Sequence, residues 1–185
     1  LVCDPGVFAI RGLAADAQGN LYLGTWPGGK VFRVGSDGKA ALWCQLPCDY
    51  VWALAFDGAG RPMAGTGPDG RLFAIDAAGK AQELIQIPQA HILSLLVQGD
   101  RIFLGSAAKG VVYELTAERQ LQALLSTGDE DDVTSLVAAS NGALFAASAG
   151  DNGAVYRWFT GPAGVGRSEK LVEIKDTPIY ALGIL

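Results

Sequence analysis

The chain contains a single histidine and a single methionine, and only 18% of its 185 residues are charged. One histidine leaves no second imidazole for a histidine-based metal cluster and no spare candidate for a Ser-His-Asp triad. The net charge is −5, and no local cluster of lysine and arginine offsets it. Because net negative charge repels a phosphate backbone, we expect no nucleic acid among the partners of this protein.

Long hydrophobic runs are also missing. The apolar stretch from 92 to 97 is interrupted by Ser94 and is far shorter than the ~20 residues that a membrane crossing needs. We therefore expect no membrane partner. The chain begins at Leu1 without a Met and with neither a basic segment nor an apolar signal core, so we expect its natural beginning to be missing from this sequence.

Cysteine is scarce, with three residues at positions 3, 44 and 48. An odd number without the paired spacing of a zinc site favours free thiols over a disulfide framework, and so favours a reducing, cytoplasmic compartment. None of the glycine-rich segments is followed by the lysine that a phosphate-binding loop requires. We expect no bound cofactor.

Glycine, by contrast, is abundant, with 25 residues, about twice its usual share of ~7%. The backbone therefore turns often. Half of the residues are apolar, which is typical of a packed globular protein rather than of a disordered one.

An internal repeat explains both the turns and the apolar residues. Five segments share the order aliphatic, variable, small, leucine, and their leucines are spaced by 41, 41, 41 and 46 residues. The segments are Ile10–Leu13, Val51–Leu54, Ile92–Leu95, Val133–Leu136 and Ile179–Leu182. Three further β-rich runs follow in each complete unit, separated by Gly, Asp, Asn or Pro turns and without helical spacing.

The repeat predicts an all-β fold, a β-propeller with four-stranded blades of about 41 residues. We assign blades to residues 7–47, 48–88, 89–130 and 131–175, an extra inner strand to 178–185, and the whole of 1–185 to a single propeller domain or part of one. Leu1 to Cys3 match the last strand of a preceding blade. The chain is therefore expected to be a fragment, or part of a ring that is completed by oligomerisation through its terminal blades.

The pattern Gly-x-Leu-Tyr-x-Gly-Thr-x-Pro-x-Gly-x-Val-Phe-x-Val at 19–34, with a related form at 60–75, resembles repeats of bacterial β-propeller proteins of unknown function. It is broadly similar to the NHL and gluconolactonase-like propellers. Resemblance to the gluconolactonase-like group implies a divalent cation held around the axis by carboxylates and an asparagine. Asp132 alone falls at a suitable axial position, which leaves that ligand set incomplete in this chain.

Loops that join the outer strand to the next inner strand, and the second strand to the third, are expected on one face. The residues two and four positions before each repeat leucine vary most, and strand alternation places them on the side of that leucine, towards the mouth of the axis. Aromatic and polar groups mix there as they do in small-molecule sites. The predicted ligand-binding residues are Arg11, Tyr50, Trp52, His91, Asp132 and Tyr180. The alternative is that they cap a solvated channel mouth.

Two weaker sets complete the candidates. His91 and Asp132 are candidates for a catalytic acid/base pair, the alternative being an ordinary loop histidine. The acidic run at 128–132 offers Asp129, Asp131 and Asp132 as oxygen ligands for Ca²⁺, although such runs are usually solvated turns.

The leading functional hypothesis is a non-catalytic scaffold that presents its loop face to a protein, a peptide or a small ligand. The first alternative is an enzyme of the lactonase or hydrolase type with its site at the axis. The second is a purely structural, self-assembling repeat module. The fold alone does not choose among them, because propellers serve all three roles.

Overall fold

The computed structural model describes residues 6–128, 131–160 and 166–183, and these form sixteen β-strands in four sheets. Nothing in these ranges is helical, so they contain no helix that is able to cross a membrane. Each sheet has four strands that pair in chain order, which short turns can connect only in the antiparallel sense. The prediction of an all-β chain with four four-stranded units is confirmed, and we call the sheets blades one to four.

The strands of blades one and two lie in the first of two compact units, Leu1–Ile92. Blade one contains β1 Ala9–Ala15, β2 Leu21–Trp26, β3 Lys30–Val34 and β4 Ala40–Gln45. Blade two contains β5 Tyr50–Phe56, β6 Pro62–Gly67, β7 Arg71–Ile75 and β8 Ala81–Gln86.

Blades three and four lie in the second unit, Leu93–Leu185, with the first strand of blade three beginning at the boundary. Blade three contains β9 Ile92–Gln98, β10 Arg101–Ser106, β11 Val111–Leu115 and β12 Leu121–Ser126. Blade four contains β13 Asp132–Ala138, β14 Leu144–Ala149, β15 Gly153–Thr160 and β16 Gly166–Ile174.

Aspartate side chains fix the turns that separate these strands. Oδ1 of Asp16 accepts hydrogen bonds from the backbone N–H groups of Gln18 at 3.0 Å and Asn20 at 2.8 Å. Asp57 and Asp76 form the same pair of bonds in blade two. A side chain that binds its own turn in this way favours a tight reversal over continued strand.

The inner strands carry a register irregularity that the sequence analysis did not include. The pairing of β5 with β6 shifts between Val51 and Ala53, which leaves Trp52 as an extra residue, and β1 and β13 shift at the equivalent place. As a result Val51 and Leu54, three residues apart, both approach glycines of blade one. The strict alternation used to place the site residues is therefore wrong at this point of the strand.

Close packing between blades depends on those glycines. A Cβ atom on Gly24 would lie 2.6 Å from Cγ1 of Val51, and one on Gly12 would lie 3.3 Å from Cγ of Leu54. A Cβ at Gly24 would clash and one at Gly12 would make an unusually tight contact, so the glycines allow the next inner strand to approach closely. Val51 is fully buried there, within the apolar core of the first unit.

The C-terminal residues differ from the prediction of an inner strand at 178–185. Residues 177–183 form no strand, because no second strand pairs with them in the described part of the chain. Instead they run along blade four, where Oγ1 of Thr134 donates to the carbonyl oxygen of Ile179 at 2.5 Å and the N–H of Leu182 donates to Oγ of Ser135 at 3.0 Å. The predicted outer strand at Leu1 to Cys3 lies outside the described residues.

Candidate ligand-binding site

At one end of the first unit the β2–β3 and β4–β5 loops are joined by backbone hydrogen bonds. The carbonyl oxygen of Asp49 accepts from the N–H groups of Gly28 at 3.0 Å and Gly29 at 3.2 Å, and the N–H of Leu46 donates to the carbonyl of Gly29 at 2.9 Å. Gly29 has a φ of +61°, and a Cβ there would lie 2.4 Å from the carbonyl oxygen of Cys48. In this unit, then, the two loop types lie side by side.

Three aromatic rings stack at this end, and we call Trp26, Tyr50 and Trp52 the aromatic stack. The ring centroids of Trp26 and Tyr50 are 5.7 Å apart with planes within 5°, and those of Tyr50 and Trp52 are 4.8 Å apart with planes within 3°. Phe8 contacts Trp26 edge-on at 4.8 Å. These are favoured geometries for aromatic pairs. All three rings of the stack are half-buried, so parts of them face solvent.

A histidine and an arginine complete the group on the side of Trp52. The indole N–H of Trp52 donates a hydrogen bond to Nδ1 of His91 at 2.9 Å. Because an indole nitrogen only donates, Nδ1 is the acceptor and the imidazole is in its neutral form. The guanidinium carbon of Arg11 lies 5.4 Å from the centroid of the Trp52 ring, within the range of a cation–π contact.

Arg11 is exposed, and its side chain forms no ion pair with a carboxylate in the described ranges. The cation–π contact therefore orients a guanidinium whose N–H groups remain open to solvent. Such a group binds carboxylates and phosphates through paired hydrogen bonds.

The structure thus places four of the six predicted site residues together in the first unit, namely Arg11, Tyr50, Trp52 and His91. Trp26 was not among the predicted site residues. Its position as the last residue of β2, directly before a turn, was the available signal. Asp132 and Tyr180 belong to the second unit, and their association with the other four stays a prediction.

In the second unit Asp132 has a local partner. Its Oδ1 accepts a hydrogen bond from the backbone N–H of Ala108 at 2.9 Å. This bond ties the β10–β11 loop to the start of β13. Tyr180 is 71% exposed. The acid/base pairing of His91 with Asp132 stays a prediction.

A small polar cleft of about 160 Å³ lies between residues before β13, including Thr127 and Asp131, and the β14–β15 loop with Asp151 and Asn152. The hydroxyl of Tyr156 donates to the carbonyl of Thr127 at 3.0 Å, and Nζ of Lys170 lies 2.7 Å from Oε2 of Glu173. Burial raises the pKa of the Tyr156 hydroxyl, while the hydrogen bond to Glu173 raises the pKa of Lys170. The polar groups of this cleft are largely satisfied by one another.

The acidic run contributes little to a cation site in the described ranges. Asp131 lies against glycines, since a Cβ on Gly150 or Gly128 would lie 2.1 or 3.1 Å from its carboxylate oxygens. No group of three His, Cys, Asp or Glu side chains converges among residues 6–128, 131–160 and 166–183. Asp129 lies outside the described residues, so its place in a calcium site stays a prediction.

Comparisons with known proteins support the fold and not a particular activity. No protein-family model matches the sequence, and no curated protein matches it. Among solved structures, a streptogramin B lyase is 12% identical with a TM-score of 0.79, over 96% of this chain and 59% of the lyase. A candidate gluconolactonase is 14% identical with a TM-score of 0.73, over 89% of this chain and 63% of its own.

A third similar structure is that of a nidogen/laminin complex, 14% identical with a TM-score of 0.73 over 93% of this chain and 67% of the matched one. The chain spans about three fifths of the length of the lyase. These neighbours and the four sheets confirm the predicted class: the protein has a β-propeller fold. At such low identity the likeness concerns the fold alone.

Proposed function

We propose that this propeller is a non-catalytic binding module, and that the aromatic stack with Arg11 holds a ligand in which a carboxylate adjoins an apolar or aromatic group. The observation that carries the proposal is the exposed guanidinium fixed over Trp52 beside half-buried rings. The rings supply apolar surface and the guanidinium supplies a directed charge, the combination of groups that small-molecule sites use to orient a ligand.

The requirement for an anionic group in the ligand follows from the surroundings of Arg11. With no acidic side chain paired to it in the described ranges, its N–H groups are available to an incoming anion. The π-face contact with Trp52 limits the rotation of the guanidinium, so less conformational entropy is lost when an anion binds.

The role of His91 in this proposal is to hold Trp52 rather than to move a proton. Its Nδ1 is occupied by the Trp52 indole, and the ring contacts both Tyr50 and Trp52 edge-on, at 5.6 and 5.5 Å. The similar structures include a lyase and a candidate gluconolactonase, but no described side-chain geometry favours either activity for this chain. Catalysis of the lactonase or hydrolase type stays an alternative prediction.

Isothermal titration calorimetry with defined probes tests the proposal. Phenylacetate and a short peptide ending in phenylalanine with a free carboxylate both offer the proposed chemistry; 2-phenylethanol and the C-terminally amidated peptide lack the charge. We expect saturable binding of at least one charged probe and none of its neutral partner, which also separates a small carboxylate from a peptide terminus as the source.

The Arg11→Gln variant should weaken that binding about tenfold or more, because a hydrogen bond to a charged group contributes ~1.5–3 kcal/mol. Arg33→Gln is the matched control, since Arg33 is an exposed arginine on β3 of the same blade and should leave binding unchanged. Equal affinity in the wild type and Arg11→Gln, or no binding of either charged probe, would overturn the proposal.

A further inference from the structure

Equivalent residues of the inner strands differ in one respect. Val51, Ile92 and Val133 occupy the same repeat position and are fully buried, whereas Ile10, at that position in β1, is 46% exposed. Leu13, three residues on, is 63% exposed, while its equivalent Leu54 is 8% exposed. The apolar side of β1 is therefore built like an interface between blades but is open to solvent.

The contacts of the buried equivalents show which residues pack together between neighbouring blades. Each lies against a glycine in the second strand of the preceding blade: a Cβ on Gly24 would be 2.6 Å from Val51, and one on Gly105 would be 2.6 Å from Val133. In blade three, Oγ of Ser94 also donates to the carbonyl of Val133 at 2.8 Å. The shared feature is thus an aliphatic residue packed on a glycine of the preceding blade, and at Val133 its carbonyl also accepts a hydroxyl hydrogen bond.

Blade four holds residues 177–183 through related contacts at neighbouring positions. Oγ1 of Thr134, one residue before the repeat equivalent of Ser94, donates to the carbonyl of Ile179, whose Cγ1 would lie 2.7 Å from a Cβ on Gly153 of β15. The segment at 177–183 reads Thr-Pro-Ile-Tyr-Ala-Leu-Gly, and residues 8–14 at the start of β1 read Phe-Ala-Ile-Arg-Gly-Leu-Ala. Ile10 and Leu13 therefore align with Ile179 and Leu182.

We propose that the exposed side of β1 is a docking surface for a second copy of this chain, and that β1 of one copy binds blade four of the other in place of residues 177–183. The acceptor surface is present in the same polypeptide and already holds a segment of matching pattern. Covering Ile10 and Leu13 also removes from water an apolar face that includes Phe8, which is 79% exposed.

The C-terminal segment is consequently an internal competitor. Being tethered to blade four, it occupies the acceptor surface at a high effective concentration, so self-association of the intact chain is expected to be weak and concentration-dependent. Changes at the two aligned isoleucines should act in opposite directions, since Ile10 belongs to the incoming strand and Ile179 to the competitor.

Analytical ultracentrifugation of the 185-residue chain between about 1 and 200 μM tests this inference. We expect a monomer near 19.2 kDa at the lowest concentrations and a species of about twice that mass at the highest. Ile179→Asp should lower the concentration of half-association about tenfold or more, and Ile10→Asp should raise it by at least as much. Leu13→Asp repeats the second test at a more exposed position, in case Ile10→Asp unfolds.

Ala77→Asp adds the same charge to an exposed turn of blade two and should change neither the folding nor the mass. Circular dichroism verifies that each variant is folded. A chain that is monomeric throughout this range, both as wild type and as Ile179→Asp, would overturn the proposal. So would association that persists unchanged in folded Ile10→Asp and Leu13→Asp. The ligand proposal is judged separately, by calorimetry with Arg11→Gln, and Ile179 lies outside the aromatic stack.

Discussion

The Trp52 indole donates a hydrogen bond to Nδ1 of His91 at 2.9 Å, and Gly67 is the residue that makes room for it. A Cβ on Gly67 would lie 1.9 Å from Nδ1 of His91 and 2.9 Å from Nε1 of Trp52. The backbone of β6 thus forms the floor under this pair. Neither the glycine nor the hydrogen bond stands out in the sequence, because Gly67 is one of many glycines in turns and strands.

We expect Gly67→Ala to displace His91 and to break its hydrogen bond with Trp52. The loss in the free energy of unfolding should be about 1–3 kcal/mol, as for other overpacking changes, and the near-ultraviolet circular dichroism of the aromatic stack should change. Chemical denaturation measures the first effect. Gly35→Ala is the control, since its Cβ would meet only an ordinary contact at 3.5 Å; equal stability of the two variants would contradict the role given to Gly67.

The repeat could be read from the sequence because every blade uses the same local chemistry. Aspartate turns such as that of Asp16 and alternating apolar residues recur at fixed spacing, so strand order and blade number follow without knowledge of packing. The predicted grouping of Arg11, Trp52 and His91 likewise depended on equivalent positions in adjacent repeats.

The details of the site could not be read in the same way. The extra residue at Trp52 arises from how β5 pairs with β6, and a bulge of this kind has no fixed sequence signature. The place of Trp26 in the aromatic stack depends on the distance between β2 and β5, which is set by contacts such as Gly24 with Val51. Distances between segments that are far apart in sequence depend on how side chains pack, so the sequence pattern alone does not predict them.

An ion pair in blade three joins an arginine side chain that is 38% exposed to a carboxylate side chain that is 11% exposed, and it should be sensitive to loss of the arginine. Nε and Nη2 of Arg101 donate to the two carboxylate oxygens of Glu114 at 2.5 and 3.0 Å, and Glu114 is only 9% exposed. We expect Arg101→Met to destabilise the protein by about 1–3 kcal/mol, because it leaves a largely buried carboxylate without its hydrogen-bonding partner. Urea denaturation measures the change.

The double variant Arg101→Met with Glu114→Gln should recover part of this loss, since the uncompensated charge is gone. Arg61→Met is the comparison with a more exposed arginine: Arg61 pairs with Asp57 at 2.7 Å, and the two side chains are 58% and 13% exposed, so we expect the smaller loss of ~1 kcal/mol. A loss at Arg101 no larger than that at Arg61 would show that the Arg101–Glu114 pair has no special contribution.

The Cys48 thiol should be unreactive at neutral pH. Burial raises its pKa to about 11, and the carboxylate of Asp49 adds to this effect. Because only the thiolate reacts, we expect alkylation by iodoacetamide at pH 8 to be on the order of a hundredfold slower than for an exposed cysteine. Peptide mass spectrometry after timed alkylation follows this residue separately from Cys44, whose pKa burial also raises.

The same shift predicts how stability depends on pH. The unfolded thiol ionises at a lower pH than the folded one, so the stabilisation from the neutral buried thiol is complete below the unfolded pKa of ~8.5 and is lost as pH rises through about 11. Cys48→Ser should lack this loss, and Asp49→Asn should speed alkylation. A rate at pH 8 equal to that of a free cysteine would contradict both expectations.

The β10–β11 loop contains a strained residue that should be open to improvement. Lys109 has a φ of +93°, whereas its repeat equivalent in blade one, Gly28, adopts a φ of +90° without a side chain. A positive φ destabilises a residue with a Cβ by ~1–2 kcal/mol. Glycine avoids this strain, but its more flexible unfolded state reduces the net gain in stability. Lys109→Gly should therefore raise the free energy of unfolding by about 0.5–1 kcal/mol, as measured by denaturation.

The control is Lys39→Gly, at an exposed position without positive φ, which should slightly lower the free energy of unfolding. If both substitutions destabilise the protein equally, Lys109 is not strained.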